Sequence, residues 1–237
     1  MRYSKRLPNQ IRQISIETNV NAYAEGSCLV KFGATHVLCT ASVEEKVPSF
    51  LRNKGSGWVS ANYNMLARAT HQRNSNDASK PNGRNIEITR LIGRSLRSCV
   101  NLRKLGERQI IIDCDVLQAD GGTRCAAITG GYVALELAIA KILGKGLVKS
   151  DLLTNQIAAI SCGIFENQII ADLDYQEDSA CEVDCNFVLN KDFNLIEIQG
   201  TAENGEMNFN QLTQMYLFAK EAVIEIFKIQ KDAIKQS

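Results

Sequence analysis

The sequence predicts an α+β protein, with mixed sheets packed with helices and two related halves. Three observations carry that prediction. Short alternating apolar segments dominate the first third of the chain, and a second hairpin with further strands is read between 157 and 199. Apolar stripes at helical spacing occur at about 85–102 and about 210–231. Hairpin, further strand and amphipathic helix follow one another twice, around a central strand and helix.

Residues 14–18, 27–32, 36–43 and 57–63 are predicted strands. Val37, Cys39, Ala41 and Val43 share one face of the third, and Gly33-Ala34-Thr35 closes a hairpin before it. Residues 67–85, polar and rich in Asn, Ser and Arg with Pro81 and Gly83, form a long loop. A loop of that length within a domain is usually functional or disordered. The first helix runs from about 85 to 102, with Ile88, Leu91, Ile92, Ser95, Cys99 and Leu102 in a small or apolar stripe. Arg90, Arg94 and Arg97 lie on another face. Residues 109–117 form a strand with Ile110, Ile112, Cys114 and Val116 on one side. Gly121-Gly122-Thr123 then opens a helix that ends near Gly144.

Residues 157–165 and 168–174 are a second hairpin around Glu166-Asn167, and 181–189 and 195–199 are further strands. A closing helix from 210 to about 231 aligns Leu212, Met215, Ala219, Val223, Ile226 and Phe227. No Pro- or Ser-rich linker divides the halves. The whole of 1–237 therefore reads as one domain with internal pseudo-duplication.

Hydrophobic residues make up 45% and charged residues 22% of the 237, the balance of a globular protein with an adequate core. With 16 Gly and 3 Pro, collagen-like and low-complexity chains are excluded. The first six residues carry no apolar signal segment, and the apolar stretch 132–143 is too short and too charged for a bilayer span. No membrane partner is expected. Eight Cys in that setting point to reduced thiols and a cytoplasmic protein. They show no CxxC pair, and Cys181 and Cys185 flank Val183 as one buried strand face.

The net charge of +1 is unevenly divided. Residues 1–67 carry +4, residues 68–108 carry +7 and residues 109–237 carry −10. A basic block of that kind suits a polyanion contact on one surface. Packing of basic against acidic segments explains it equally well.

Two segments could hold chemistry. At 113–124 a strand ends, two glycines turn the backbone and a helix begins. Its free N–H groups, the Thr123 hydroxyl and the Arg124 guanidinium together suit phosphate. The simpler reading is a turn with Thr123 as a cap; Arg124 favours the anion site. Neither a Walker A loop nor a GxGxxG pattern occurs. In the acidic run 178–184, Asp178, Glu182 and Asp184 share parity if extended, and convergent carboxylates would draw Mg²⁺. On that run alone, a solvated strand face is slightly favoured. Trp58, Tyr63 and Phe50 are the aromatic candidates for base stacking, though isolated aromatics usually belong to the core.

The run Asp113-Cys114-Asp115-Val116-Leu117-Gln118-Ala119-Asp120-Gly121-Gly122-Thr123-Arg124 closely resembles the signature of the bacterial ribonuclease PH family. The likeness continues in Asn82-Gly83-Arg84, in Arg90-Leu91-Ile92-Gly93-Arg94-Ser95-Leu96-Arg97, in Glu177-Asp178-Ser179-Ala180 through Asp184, and in Gln199-Gly200-Thr201-Ala202-Glu203. It covers essentially the whole chain.

The resemblance implies a phosphorolytic 3′→5′ exoribonuclease that trims the 3′ ends of tRNA precursors. Inorganic phosphate is the co-substrate, a nucleoside diphosphate is released, and the reaction is reversible. It also implies two βαβα-type halves resembling ribosomal protein S5 domain 2, and a homohexamer built as a trimer of dimers. Position by position, Arg84, Gly122, Thr123 and Arg124 match the family's phosphate site. Asp178 and Asp184 match its catalytic and metal-binding carboxylates, with Mg²⁺ as the implied cation. Arg68 and Arg73 match residues associated with tRNA binding.

Asn76 stands where a third such Arg is usual, Ala67 replaces a Pro, and Asn62 and Asn64 replace a Glu and a Gly. These departures bear on tRNA affinity and leave the phosphate and metal positions intact. Two other classes compete: a non-catalytic RNA-binding ring subunit of an exosome-like assembly, and a purely structural assembly protein. The intact site residues argue against the first, and the clustered motifs would go unused in the second.

Overall fold

The computed structural model describes residues 2–73 and 83–237. In the first half, β1 (Ile14–Thr18), β2 (Gly26–Phe32) and β3 (Thr35–Glu44) form an antiparallel meander. With β4 (Trp58–Met65) and β5 (Gln109–Gln118) it makes a five-stranded sheet of order β1-β2-β3-β5-β4. β4 and β5 are parallel, as a crossover through helix α1 (Gly83–Arg97) requires. The second sheet, of order β7-β6-β8-β9, is antiparallel throughout. Its strands are β6 (Ile157–Phe165), β7 (Gln168–Ala171), β8 (Val183–Asn190) and β9 (Leu195–Ala202).

Helix α3 (Thr123–Gly144) packs on β2, β3 and β5 of the first sheet and on β6 and β8 of the second. It is therefore buried on nearly all sides instead of along one stripe. Gly130 permits the close approach, because a Cβ there would lie 2.6 Å from Val30 Cγ1 and 2.9 Å from Cys39 Sγ. α3 is long and apolar enough to cross a membrane, yet its surface is taken up by the protein's own sheets. Helix α5 (Phe209–Lys235) covers β6 and β7 and reaches β1, burying Met215, Ala219, Val223 and Ile226. One apolar core runs through both halves, and all eight Cys are free and buried.

The structure corrects three expectations. The helix predicted over 85–102 ends at Arg97. Val100 then bridges to Leu153, and Asn101 caps a separate short helix, α2 (Leu102–Leu105), by accepting from Lys104 N at 3.1 Å. The apolar stripe continues across the break, so periodicity alone could not locate it. Strand β7 stops at Ala171 instead of 174, and Asp172 takes a φ of +56°.

The acidic run is not extended. Helix α4 (Tyr175–Ala180) carries Asp178, β8 begins only at Val183, and Cys181 follows α4 instead of sharing a strand face with Cys185. Parity along one strand therefore does not bring the carboxylates together; the packing of α4 on β6, the strand paired with β8, does. Of the long loop, Asn76, Pro81 and Asn82 lie outside the described residues.

Candidate active site

A cleft of about 480 Å³ opens where α3 begins. Its walls combine Tyr63 and Met65 of β4, Arg84 and Asn85 of α1, the turn into α3, Ser161 of β6, Tyr175 and Asp178 of α4, and Asp184 and Asn186 of β8. The turn needs both glycines. Gly121 and Gly122 have φ of +75° and +65°, and a Cβ on Gly121 would lie 2.6 Å from Leu173 O and from Asp174 C. Gly121 thus serves close packing against the segment before α4, more than the approach of a ligand.

Gly122 is the N-cap of α3, and no side chain among the described residues caps the helix. Thr123 is its first residue, and the Thr123 hydroxyl lies 2.8 Å from the phenol oxygen of Tyr63. Thr123 is therefore not the cap. A helix start without a side-chain acceptor leaves N–H donors and the positive dipole end for an anion. Burial raises the Tyr63 pKa, so the phenol stays protonated at neutral pH.

Arg124 points one edge of its guanidinium at Gln199, donating from Nη1 to Oε1 at 3.0 Å. Gln199 in turn donates to Glu87. The Asp178 and Asp184 carboxyls are both held above the ordinary carboxylate range. Desolvation in the cleft raises both, Asp178 adds to the rise at Asp184, and Glu203 adds to both. Arg124 acts in the opposite direction on each, and Arg84 also does so on Asp178. Beneath them the buried Cys125 thiol, its pKa pushed up to about 12, donates to Asn186 Oδ1 at 3.2 Å.

The amino-terminal segment braces this arrangement. Arg12 holds Asp172 through Nε–Oδ2 at 2.9 Å and Nη2–Oδ1 at 2.8 Å, and donates to the carbonyl of Asp120 at 2.5 Å. Arg2 donates to Glu177 at 2.7 and 2.8 Å, and Arg6 reaches Asp172, Asp174 and Glu177. The turn before α3 and helix α4 are thus tied to one buried set of charges.

All six residues expected at the phosphate and metal positions, Arg84, Gly122, Thr123, Arg124, Asp178 and Asp184, line this one cleft. Arg68 and Arg73 are exposed and are not among its lining residues. The aromatic candidates fare differently. Trp58 packs edge-on against Phe50 and under Arg97, 4.3 Å from its ring centroid, and Tyr63 is 2% exposed. The cleft's exposed aromatic is Tyr175, which no sequence motif singled out, and the same holds for Ser161, Asn186 and the Arg12–Asp172 pair. Asp174 and Glu177, three apart, form the capping box that marks α4 and could have found it. Among the described residues, no three His, Cys, Asp or Glu side chains cluster as a metal site.

The chain matches two family models: the 3′ exoribonuclease family, domain 1, over residues 10–141, and domain 2 of the same family over residues 155–222. It is 53% identical over 236 residues to the ribonuclease PH of Caulobacter vibrioides, covering 99% of both chains. It is 52% identical to that of Methylocella silvestris, covering 99% of this chain and 100% of the relative. Solved structures with the same fold include rice (Oryza sativa) Rrp46, at TM-score 0.80 and 19% identity, covering 98% of this chain and 100% of that one. An Archaeoglobus fulgidus exosome with RNA bound to the active site matches at TM-score 0.82 and 20% identity, over 96% and 91% of the two chains.

Proposed function

The chain belongs to the 3′ exoribonuclease family, in its ribonuclease PH branch, and we propose that the cleft at the start of α3 is where it trims RNA. It is a phosphorolytic 3′→5′ exoribonuclease and nucleotidyltransferase acting on the 3′ ends of tRNA precursors. One observation supports this siting above the others: an uncapped helix start and two arginines share the cleft with two carboxylates of raised proton affinity.

Inorganic phosphate is placed on Thr123, Arg124, Arg84 and the backbone of Gly122. It is an anion attacking an anionic backbone, so these donors offset the repulsion and fix the line of attack. A phosphate oxygen bonds to the terminal phosphorus as the P–O3′ bond breaks, giving a nucleoside diphosphate and an RNA one residue shorter. The hydrogen bond to Gln199 holds the Arg124 guanidinium in one orientation.

Asp178 and Asp184 would hold Mg²⁺. The residues fit it: both carboxylates line the one cleft, and one or two carboxylates suffice for an ion that keeps several waters and takes substrate phosphate oxygens. Bound there, Mg²⁺ supplies neutralisation of the charge on the scissile phosphate and the departing 3′ oxygen. Arg68 and Arg73 are assigned to the tRNA body. The working form is a cytoplasmic homohexamer, a trimer of dimers. A non-catalytic exosome-like subunit would have no use for this donor and carboxylate set.

The deciding experiment incubates a 3′-extended tRNA with Mg²⁺, with and without inorganic phosphate. Nucleoside diphosphates appear only with phosphate. Release of nucleoside monophosphates without it, or no release under either condition, would overturn the assignment.

A further inference from the structure

We propose that Tyr175 is the stacking platform for the base of the RNA's 3′-terminal nucleotide. The inference deepens the RNA-trimming reading above and rests on it. Tyr175 is 56% exposed although it lines the cleft, and among the described residues no aromatic side chain packs on it. The cleft's other lining aromatic, Tyr63, is buried and committed to Thr123. Lining a cleft of arginines and carboxylates, the exposed Tyr175 ring offers a flat apolar face on which a base can stack.

Its position is fixed from two sides. Tyr175 is the first residue of α4, whose capping box joins Asp174 and Glu177: Glu177 N donates to Asp174 Oδ1 at 3.1 Å, and Asp174 N donates to Glu177 Oε2 at 3.2 Å. Its backbone also presses on the turn before α3, where a Cβ on Gly121 would lie 2.8 Å from Tyr175 N. The backbone that carries Tyr175 and the anion-binding turn therefore belong to one packed unit.

Asp178 follows three residues later, on the same face of the helix. A nucleotide whose phosphate lies between Arg124 and Asp178 has its base within the span of that face. Stacking on an aromatic ring tolerates all four bases, which suits an enzyme that removes whatever nucleotide comes last.

The test uses Tyr175→Ala and Tyr175→Phe in the full chain, with RNAs ending in each of the four bases. Loss of one base–aromatic stack should raise the KM for RNA by about fivefold or more in Tyr175→Ala, alike for all four ends, while the KM for phosphate stays within about twofold. Tyr175→Phe should recover the RNA KM, since the ring and not the hydroxyl is required. A binding readout without turnover accompanies this. With 2-aminopurine as the 3′-terminal base and no phosphate present, its fluorescence should be quenched by the wild type and by Tyr175→Phe but not by Tyr175→Ala.

An unchanged RNA KM with undiminished quenching in Tyr175→Ala overturns the proposal. So does a phosphate KM that rises as far as the RNA KM, or a Phe variant as weak as the Ala variant. Absence of phosphate-dependent diphosphate release by the wild type would instead sink the underlying function, and the quenching experiment would still report on the ring.

Discussion

Arg124 offers one edge of its guanidinium to Gln199, and the rest lines the cleft beside Thr123. A charge-assisted bond to phosphate contributes about 1.5–3 kcal/mol, so Arg124→Ala or Arg84→Ala should raise the phosphate KM by about tenfold or more. Steady-state phosphate titrations check this, and an unchanged KM in both variants would remove the site. The carboxylates make a separate prediction about pH. Their pKa values are raised, so they take up protons more readily than ordinary carboxylates as pH falls, and Mg²⁺ held there as proposed would compete with those protons. The acid limb of activity should therefore lie higher at limiting Mg²⁺ and move to lower pH as Mg²⁺ increases. Asp184→Asn should lose most of its turnover and that Mg²⁺-dependent displacement, with RNA binding nearly intact. Gly121 to Arg124 was legible as a short, dense run of chemistry-bearing side chains, whereas Arg84, Asp178 and Asp184 were singled out by the resemblance to the ribonuclease PH family. Tyr175 was not, because an aromatic beside an acidic run gives no sign of which way it faces until α4 is recognised.

Among the elements, α4 and the amino-terminal segment account for what periodicity could not supply. Strands β1 to β5 and helix α5 follow from alternation and an apolar stripe, because each buries one face, whereas α3 and β6, buried nearly all round, were marked by the turns that bound them. Six-residue α4 buries only Glu177, so its identity rests on capping and on its salt bridges, and a pattern of side chains alone makes 178–184 look extended. The segment before β1 carries no repeating pattern at all, yet it holds α4 and the turn before α3 through Arg2, Arg6 and Arg12. Asp172 and Arg12 are almost fully buried. Burial pushes the Asp172 carboxyl up, but the Arg12 charge and its hydrogen bonds outweigh that and hold it below its ordinary value. A depressed folded-state pKa stabilises the fold above the unfolded value of about 3.9, and the contribution is lost as pH falls through the folded value. Asp172→Asn should cost about 3–5 kcal/mol at neutral pH, as breaking a buried pair does. Denaturant unfolding should show that loss at pH 7 and a gap between variant and wild type that narrows as the pH falls below the unfolded value of about 3.9. Equal stabilities at pH 7 would show that the pair is not a brace.

Across the whole molecule, the uneven charge read from the sequence has two destinations. Part of it is neutralised internally: Arg2, Arg6 and Arg12 meet the acidic segment 172–177, and Arg94 pairs with Glu197 on β9. Arg97 is taken up by the Trp58 ring and by the carbonyl of Val59. The excess of +7 over 68–108 is thus smaller in effect than in sum, and Arg94 and Arg97 are poor candidates for RNA. Arg68 and Arg73 differ, because both are exposed on the turn that follows β4, and Arg68 bonds locally, to the carbonyl of His71. Their exposure leaves them open to the phosphates of an RNA, as the tRNA assignment proposed above requires. Each phosphate engaged by a basic side chain releases condensed cations, so the double variant Arg68→Ala/Arg73→Ala should bind tRNA more weakly. Its plot of log affinity against log salt should be shallower by about 0.7–0.9 for every phosphate no longer neutralised. Phosphorolysis of a short RNA at saturation should survive, because the anion-binding turn and both carboxylates are untouched. Asn76→Arg restores the positive charge usual in the family and should tighten tRNA binding and steepen the same slope. Measured at low salt, where such ionic pairing counts most, unchanged affinity in both variants would move the RNA surface off this loop and leave its charge to internal packing.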